Sequence, residues 1–157
     1  MRSELFIDGE ISGVSVTPFR EFSDKRGWLT ELFRIDELGA YSVAMAYLSV
    51  TYPGVIRGPH EHAEQTDYFC FLGKFTLALW DNRKGSPTYG KKKVIANADR
   101  LIVTVPPGVV HAYRNSGDSE GTVLNFPDRL YAGQGKKEKV DEIRHEDDLE
   151  SPFRMEA

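Results

Sequence analysis

The chain has 157 residues, 40% of them hydrophobic, and 20 basic against 24 acidic side chains give a formal net charge of −4. A chain this long buries a core without staples, and its single cysteine, Cys70, excludes a disulfide framework and a cysteine-rich zinc module. The acidic balance offers no basic field for nucleic acid, no stretch approaches the roughly 18 apolar residues of a membrane span, and Glu4, Asp8 and Glu10 break any signal-peptide core, so the sequence predicts a soluble, cytoplasmic, single-domain protein.

Apolar residues recur with period two or in short runs bounded by Gly, Pro, Asn and Asp, the pattern of strands and turns. In chain order the predicted strands are Val14–Phe19, Gly27–Arg34, Ser42–Tyr52, Val55–Glu61, Asp67–Leu72, Phe75–Asp81, Lys92–Ala96, Leu101–Val105, Val110–Arg114 and Gly121–Asn125. Breaks fall at Pro53-Gly54, Gly73-Lys74, Gly85–Gly90, Asn97–Asp99, Pro106–Gly108 and Ser116–Asp118, where a residue fixes φ or tolerates positive φ. One short helical turn is predicted at Arg34–Leu38. The charged tail, residues 127–157, is read as partly helical, since Val140, Ile143 and Leu149 allow an amphipathic turn or two. Closely spaced short strands predict an all-β sandwich or barrel.

Two constellations carry chemistry. In Gly54-Val-Ile-Arg-Gly-Pro-His60-Glu-His62 the histidines stand at i and i+2 on a strand and share a face, and Asp67 opens the next strand. Imidazoles and a carboxylate in one cavity suit a divalent metal such as Zn, Fe, Ni or Mn. In Pro106-Pro-Gly108-Val-Val-His111-Ala-Tyr-Arg-Asn115 a tight turn delivers a strand with an inward histidine. The fourth histidine, His145, lies in a charge run and is expected in solvent. Together the two motifs resemble those of the cupin superfamily, which implies a jelly-roll barrel.

Five blocks in order resemble a narrower group: Asp24-Lys-Arg-Gly27-Trp-Leu-Thr-Glu31, Gly54 to His60, Trp80 to Gly90, Val105 to His111, and Ile143-Arg-His-Glu-Asp147. They look like the dTDP-4-dehydrorhamnose 3,5-epimerase family. The resemblance implies a homodimeric cupin with N-terminal strands and a dimer arm over residues 1–53, a barrel over 54–126 and the charged tail. It also implies a dTDP-linked 4-keto-6-deoxy sugar as substrate, and no cofactor. By position, His60 falls on the catalytic base and Asp147 near the carboxylate that orients it; Arg57 falls on a substrate contact, and Arg26 and Glu31 on a nucleotide-contacting segment. His111 falls on the histidine after the Pro-Pro-Gly turn. The family's acid tyrosine falls at Leu124 or Asn125, and its lysine at Thr66 or Asp67. Tyr47, Tyr68 and Tyr113 are the candidate replacement acids, with Tyr47 and Asn125 also candidate substrate contacts. The alternatives are a metal-dependent cupin, an isomerase or dioxygenase using His60, His62, His111 and Asp67, and a nucleotide-sugar-binding module without turnover.

Overall fold

A computed structural model describes residues 5–156. Among the described residues there are thirteen strands: β1 (Ile7–Asp8), β2 (Ser15–Pro18), β3 (Glu21–Asp24), β4 (Gly27–Thr30), β5 (Tyr47–Thr51), β6 (Ile56–Glu61), β7 (Asp67–Leu72), β8 (Phe75–Asp81), β9 (Lys91–Ile95), β10 (Leu101–Val105), β11 (Val109–Asn115), β12 (Gly121–Asn125) and β13 (Ile143–Arg144). One sheet has the order β1, β9, β8, β11, β6, β13; the other has the order β2, β10, β7, β12, β5. They form the jelly-roll barrel of the cupins.

Alternation explains the interior. Phe69, Phe71, Phe75, Leu77, Leu79, Val103, Val105, Val109, Tyr113 and Val123 fill the space between the sheets. Trp80, Ala78, Val110 and Ala112 point to the other face of the first sheet, where Phe153 of the tail covers them. The tail thus seals a second apolar cluster and is not a free solvated segment.

Several expectations need correction. The tail is not helical: Ile143–Arg144 pairs with Glu61 and His60 of β6, and single 3-10 turns stand at Gln134–Lys136 and His145–Asp147. An isolated amphipathic turn is too short to hold itself, whereas edge pairing satisfies its backbone groups at once. Residues 34–38 form a turn, closed by the Glu37 N–H donating to the Arg34 carbonyl at 3.0 Å, and no helix. Strands β1, β2 and β5 from the N-terminal segment and β13 from the tail complete the sheets around residues 54–126. Within residues 1–53, the β3–β4 hairpin forms a separate two-stranded sheet, tied to the barrel by Arg100, which meets Glu21 at 2.8 Å.

One backbone irregularity positions the site. His60 pairs with His111 across β6 and β11, but the next pair is Arg57 with Tyr113, so β6 carries one extra residue. Such a bulge resets the alternation, and Arg57 and His60, three residues apart, both line the interior cavity. Gly58 makes this possible. Its φ is +88°, and a Cβ there would lie 2.5 Å from the His111 carbonyl oxygen.

Candidate active site

A cavity of about 670 Å³ opens between the sheets, lined by Tyr47, Arg57, His60, His62, Phe69 and Tyr113 from the barrel and by Val140, Asp141, Glu142, Arg144 and Glu146 from the tail. The three histidines arrive by two local devices. His60 and His62 share a face by strand alternation, and His111 comes from the strand after the Pro-Pro-Gly turn, where the Gly108 N–H donates to the His62 carbonyl at 2.9 Å. Their rings converge: His60 stands 4.6 Å from His111 and 5.8 Å from His62, centroid to centroid.

Asp67, on the facing sheet, closes the floor. Its Oδ1 accepts from Gln65 Nε2 and Asn125 Nδ2, both at 2.8 Å. Its Oδ2 lies 3.2 Å from His62 Nε2 and 3.3 Å from His111 Nε2. Burial pushes the Asp67 carboxyl up, but the adjacent His62 and His111 and the Asn125 amide outweigh it and hold it down at about 2. Burial and the neighbouring His60 push His111 down to about 3. For His62 burial again pulls down, yet Asp67 and the Asp141 carbonyl at its Nδ1 prevail and raise it to about 9. The ring nitrogens of His60, His62 and His111 lie within 4.8 Å of one another.

His60 is held differently. Its Nδ1 lies 3.8 Å from carboxylate oxygens of both Glu142 and Glu146. Burial lowers its pKa, and the two glutamates push it back up without prevailing. The neutral, proton-accepting form is therefore favoured at neutral pH. Glu142→Gln combined with Glu146→Gln removes the upward push on His60. The His60 ring is expected to take up its proton at a lower pH in the double variant than in the wild type, and NMR titration of its ring protons shows it.

The expected His60–Asp147 pair is not formed. Asp147 bonds Arg144 Nε at 3.0 Å and its side chain is 67% exposed, whereas Glu142 and Glu146 take the places beside His60. Arg144 draws all three acids together, and nothing in a run of acids one to five residues apart says which faces inward. His145, expected in solvent, packs on Phe153 at 4.7 Å and meets buried Glu61 Oε1 at 2.9 Å through Nε2.

Tyr68 does not reach the cavity. Asp67 points inward, so its neighbour must point out, and the Tyr68 hydroxyl donates to the Leu32 carbonyl at 2.7 Å among Phe33, Tyr41 and Phe126. Tyr47 and Tyr113 do line it. Asn125 is fully buried; its Nδ2 donates to the Tyr47 hydroxyl at 3.0 Å as well as to Asp67, and its Oδ1 accepts the Tyr68 N–H. Arg57 holds its guanidinium at the rim through Thr51 Oγ1 at 2.9 Å and the Val50 carbonyl at 2.8 Å. Arg26 and Glu31 are not brought to the cavity of this chain: Arg26 is 82% exposed and forked on Asp24, and Glu31 borders a separate groove beside the hairpin.

Sequence reasoning passed over Asp141. Its carboxylate accepts the backbone N–H groups of Ala63, Glu64 and Gln65 at 2.8–2.9 Å, so the tail clasps the loop after His62. Such a contact spans 76 to 78 residues and has no local sequence signal.

Known proteins resemble this chain in sequence and in fold. The family model described as dTDP-4-dehydrorhamnose 3,5-epimerase matches residues 8–148. The probable low-salt glycan biosynthesis epimerase of Haloferax volcanii is 36% identical over 127 residues, 77% of this chain and 81% of that protein. The spore coat polysaccharide biosynthesis protein SpsL of Bacillus subtilis is 34% identical over 132 residues, 82% of this chain and 87% of its own. The crystal structure of a dTDP sugar isomerase from Desulfovibrio desulfuricans superposes with a TM-score of 0.76 at 22% identity, covering 92% of this chain and 91% of that one, a likeness of fold.

Proposed function

This chain belongs to the dTDP-4-dehydrorhamnose 3,5-epimerase family, and from that premise we propose that it inverts or isomerises a dTDP-linked 4-keto-6-deoxy sugar with His60 as the base. Family membership favours a sugar-nucleotide epimerase over a dioxygenase or a binding module without turnover. The observation that carries the residue assignment is the setting of His60: a half-buried imidazole whose burial favours the neutral form, on the wall of a sugar-sized cavity that also holds two phenols. A proton α to a ketone is weakly acidic, and a positioned neutral imidazole is the group that removes it at neutral pH. Glu142 and Glu146 beside Nδ1 stabilise the imidazolium formed when the proton arrives, the part that Asp147 was expected to play.

The returning proton comes from Tyr47 in this reading. Leu124 and Asn125, on one or the other of which the family's acid tyrosine falls, have no acidic proton to give, and Asn125 spends its amide on Asp67 and Tyr47. Tyr47 stands directly across from Asn125 between β5 and β12, one strand away from the expected phenol. Its oxygen accepts from Asn125, so its own hydrogen is free for the substrate. Arg57, at the cavity rim, suits the diphosphate. The reading also assigns a homodimer and the cytoplasm, where nucleotide-activated sugars are assembled. Phe22, Trp28 and Leu29 of the hairpin are 51%, 42% and 58% exposed, an apolar arm that a second copy would cover.

The test is product analysis by NMR after incubation with a dTDP-4-keto-6-deoxy sugar. Wild type is expected to yield an epimer or keto-isomer, and Tyr47→Phe to form it more slowly by a factor of about 10²–10⁴ while Tyr113→Phe stays closer to wild type. Unchanged turnover in Tyr47→Phe removes the acid assignment, and an unaltered sugar with wild type removes the activity.

A further inference from the structure

The strand that carries His60 has a second face. His60 and His62 line the cavity, and Glu61 between them points to the outer side of the sheet, where its side chain is only 8% exposed. Glu61 Oε1 accepts from Asn82 Nδ2 at 2.8 Å and from His145 Nε2 at 2.9 Å. Asn82 is itself fixed, since its N–H donates to the Gly108 carbonyl at 3.1 Å, in the turn that delivers His111. The His145 ring lies on Phe153, which closes the outer apolar cluster over Trp80.

The tail repeats this alternation in register with β6. Ile143 pairs with Glu61 and Arg144 with His60; Arg144 and Glu146 face the cavity, and His145 between them faces out. One residue therefore separates the outer contact from the carboxylate that stands 3.8 Å from His60 Nδ1. The tail cannot hold this geometry alone. β13 has two residues, and the single 3-10 turn after it has no side-chain cap and is closed by the Asp148 N–H donating to the His145 carbonyl at 3.1 Å. Arg144 forks onto three carboxylates from a half-exposed position, where ion pairs hold little. Glu146 Oε2 is buried without a hydrogen-bond partner, which favours its escape to water. The buried Glu61–His145 contact opposes that escape, because parting it leaves a carboxylate inside the protein short of a donor.

We infer that Glu61 and His145 are positioning residues for His60: their contact on the outer face of β6 sets the turn that holds Glu146 beside His60 in the cavity. The catalytic meaning of this contact rests on His60 being the base proposed above; the holding of Glu146 does not. Neither residue lines the cavity, and both act through Glu146. An imidazolium formed on His60 then finds its carboxylate already in place, so no rearrangement is added to the barrier for proton transfer.

The experiment is a mutant cycle on the full chain that crosses His145→Phe with Glu142→Gln plus Glu146→Gln, read by NMR titration of the His60 ring protons. Phenylalanine keeps a ring on Phe153 and removes the donor to Glu61. In the wild-type background the two glutamines lower the pH at which His60 takes its proton. In the His145→Phe background, where Glu146 has already left, that shift is expected to fall to about half or less. His145→Gln, whose amide still donates to Glu61, is expected to keep the full shift. An undiminished shift in His145→Phe, or an equal reduction in His145→Gln, overturns the proposal. Circular dichroism identifies a variant that fails to fold, and Glu61→Leu, which removes the other half of the contact, then carries the cycle. Turnover of a dTDP-4-keto-6-deoxy sugar is read on the same proteins, and His145→Phe is expected to lower kcat by about 10-fold while KM stays within about 2-fold. A reduced shift with no turnover by wild type keeps the positioning contact and removes the epimerase reading; turnover by wild type with an undiminished shift does the reverse.

Discussion

His60→Asn is expected to lower kcat/KM on a dTDP-4-keto-6-deoxy sugar by about 10²–10⁴, the usual worth of a positioned general base. Asparagine fills similar space and keeps hydrogen-bonding capacity, so the β6–β11 pairing and the cavity wall persist while the proton acceptor is lost. Asp147→Asn is the informative companion. Its carboxylate is spent on Arg144 at the surface, and its activity is expected to stay near wild type. Steady-state kinetics on both variants, with circular dichroism to show that each is folded, checks the pair. An equal loss in both would put the orienting carboxylate back at position 147 and remove Glu142 and Glu146 from that part.

Phe75→Ala is expected to cost about 3–5 kcal/mol of folding stability, read from urea denaturation. Phe75 has no exposed surface, and its ring packs edge-on against Tyr113 at 5.6 Å and tilted against Phe71 at 5.4 Å. Its far edge lies over Gly121, where a Cβ would sit 2.4 Å from the ring. The truncation opens a cavity that these rigid neighbours cannot collapse to fill, and it removes one support of Tyr113, which lines the active cavity. A loss below about 1 kcal/mol, in the range of surface substitutions, would contradict this account of the core.

The strands with the strongest alternation were the ones legible in the sequence. Asp67–Leu72, Phe75–Asp81, Leu101–Val105 and Gly121–Asn125 occupy the spans that their apolar pattern predicts, because burial between two sheets sets that pattern. Ser42–Tyr52 shortens to Tyr47–Thr51. Ahead of it the chain is tied irregularly, with the Ala44 N–H donating to the Pro127 carbonyl at 2.8 Å. Strands β1, β3 and β13 went unread because their residues are exposed and leave no periodic trace.

The site divides in the same way. His60, His62, His111 and Asp67 were legible as a set because strand parity and a Pro-Pro-Gly turn are local features. The parity that places Asp67 inside also places Tyr68 outside, a consequence available from the sequence once the inward face of β7 is known. Glu142, Glu146 and Asp141 were not legible. They reach the cavity through long-range pairing of the tail with β6 and the loop after His62, and a charge run contains no information about that docking. Asn125 and Tyr47 illustrate the remaining limit, since their placement opposite one another on two paired strands is visible only once the register is known.

The most direct test of His60 as a base next to a ketone is incubation of the wild-type protein and His60→Asn with a dTDP-4-keto-6-deoxy sugar in D2O, followed by NMR. Deuterium entering a carbon adjacent to the ketone with wild type, and at a rate lower by about 10²–10⁴ with His60→Asn, is the predicted result. No deuterium at either neighbouring carbon with wild type, or equal incorporation by both proteins, would contradict it.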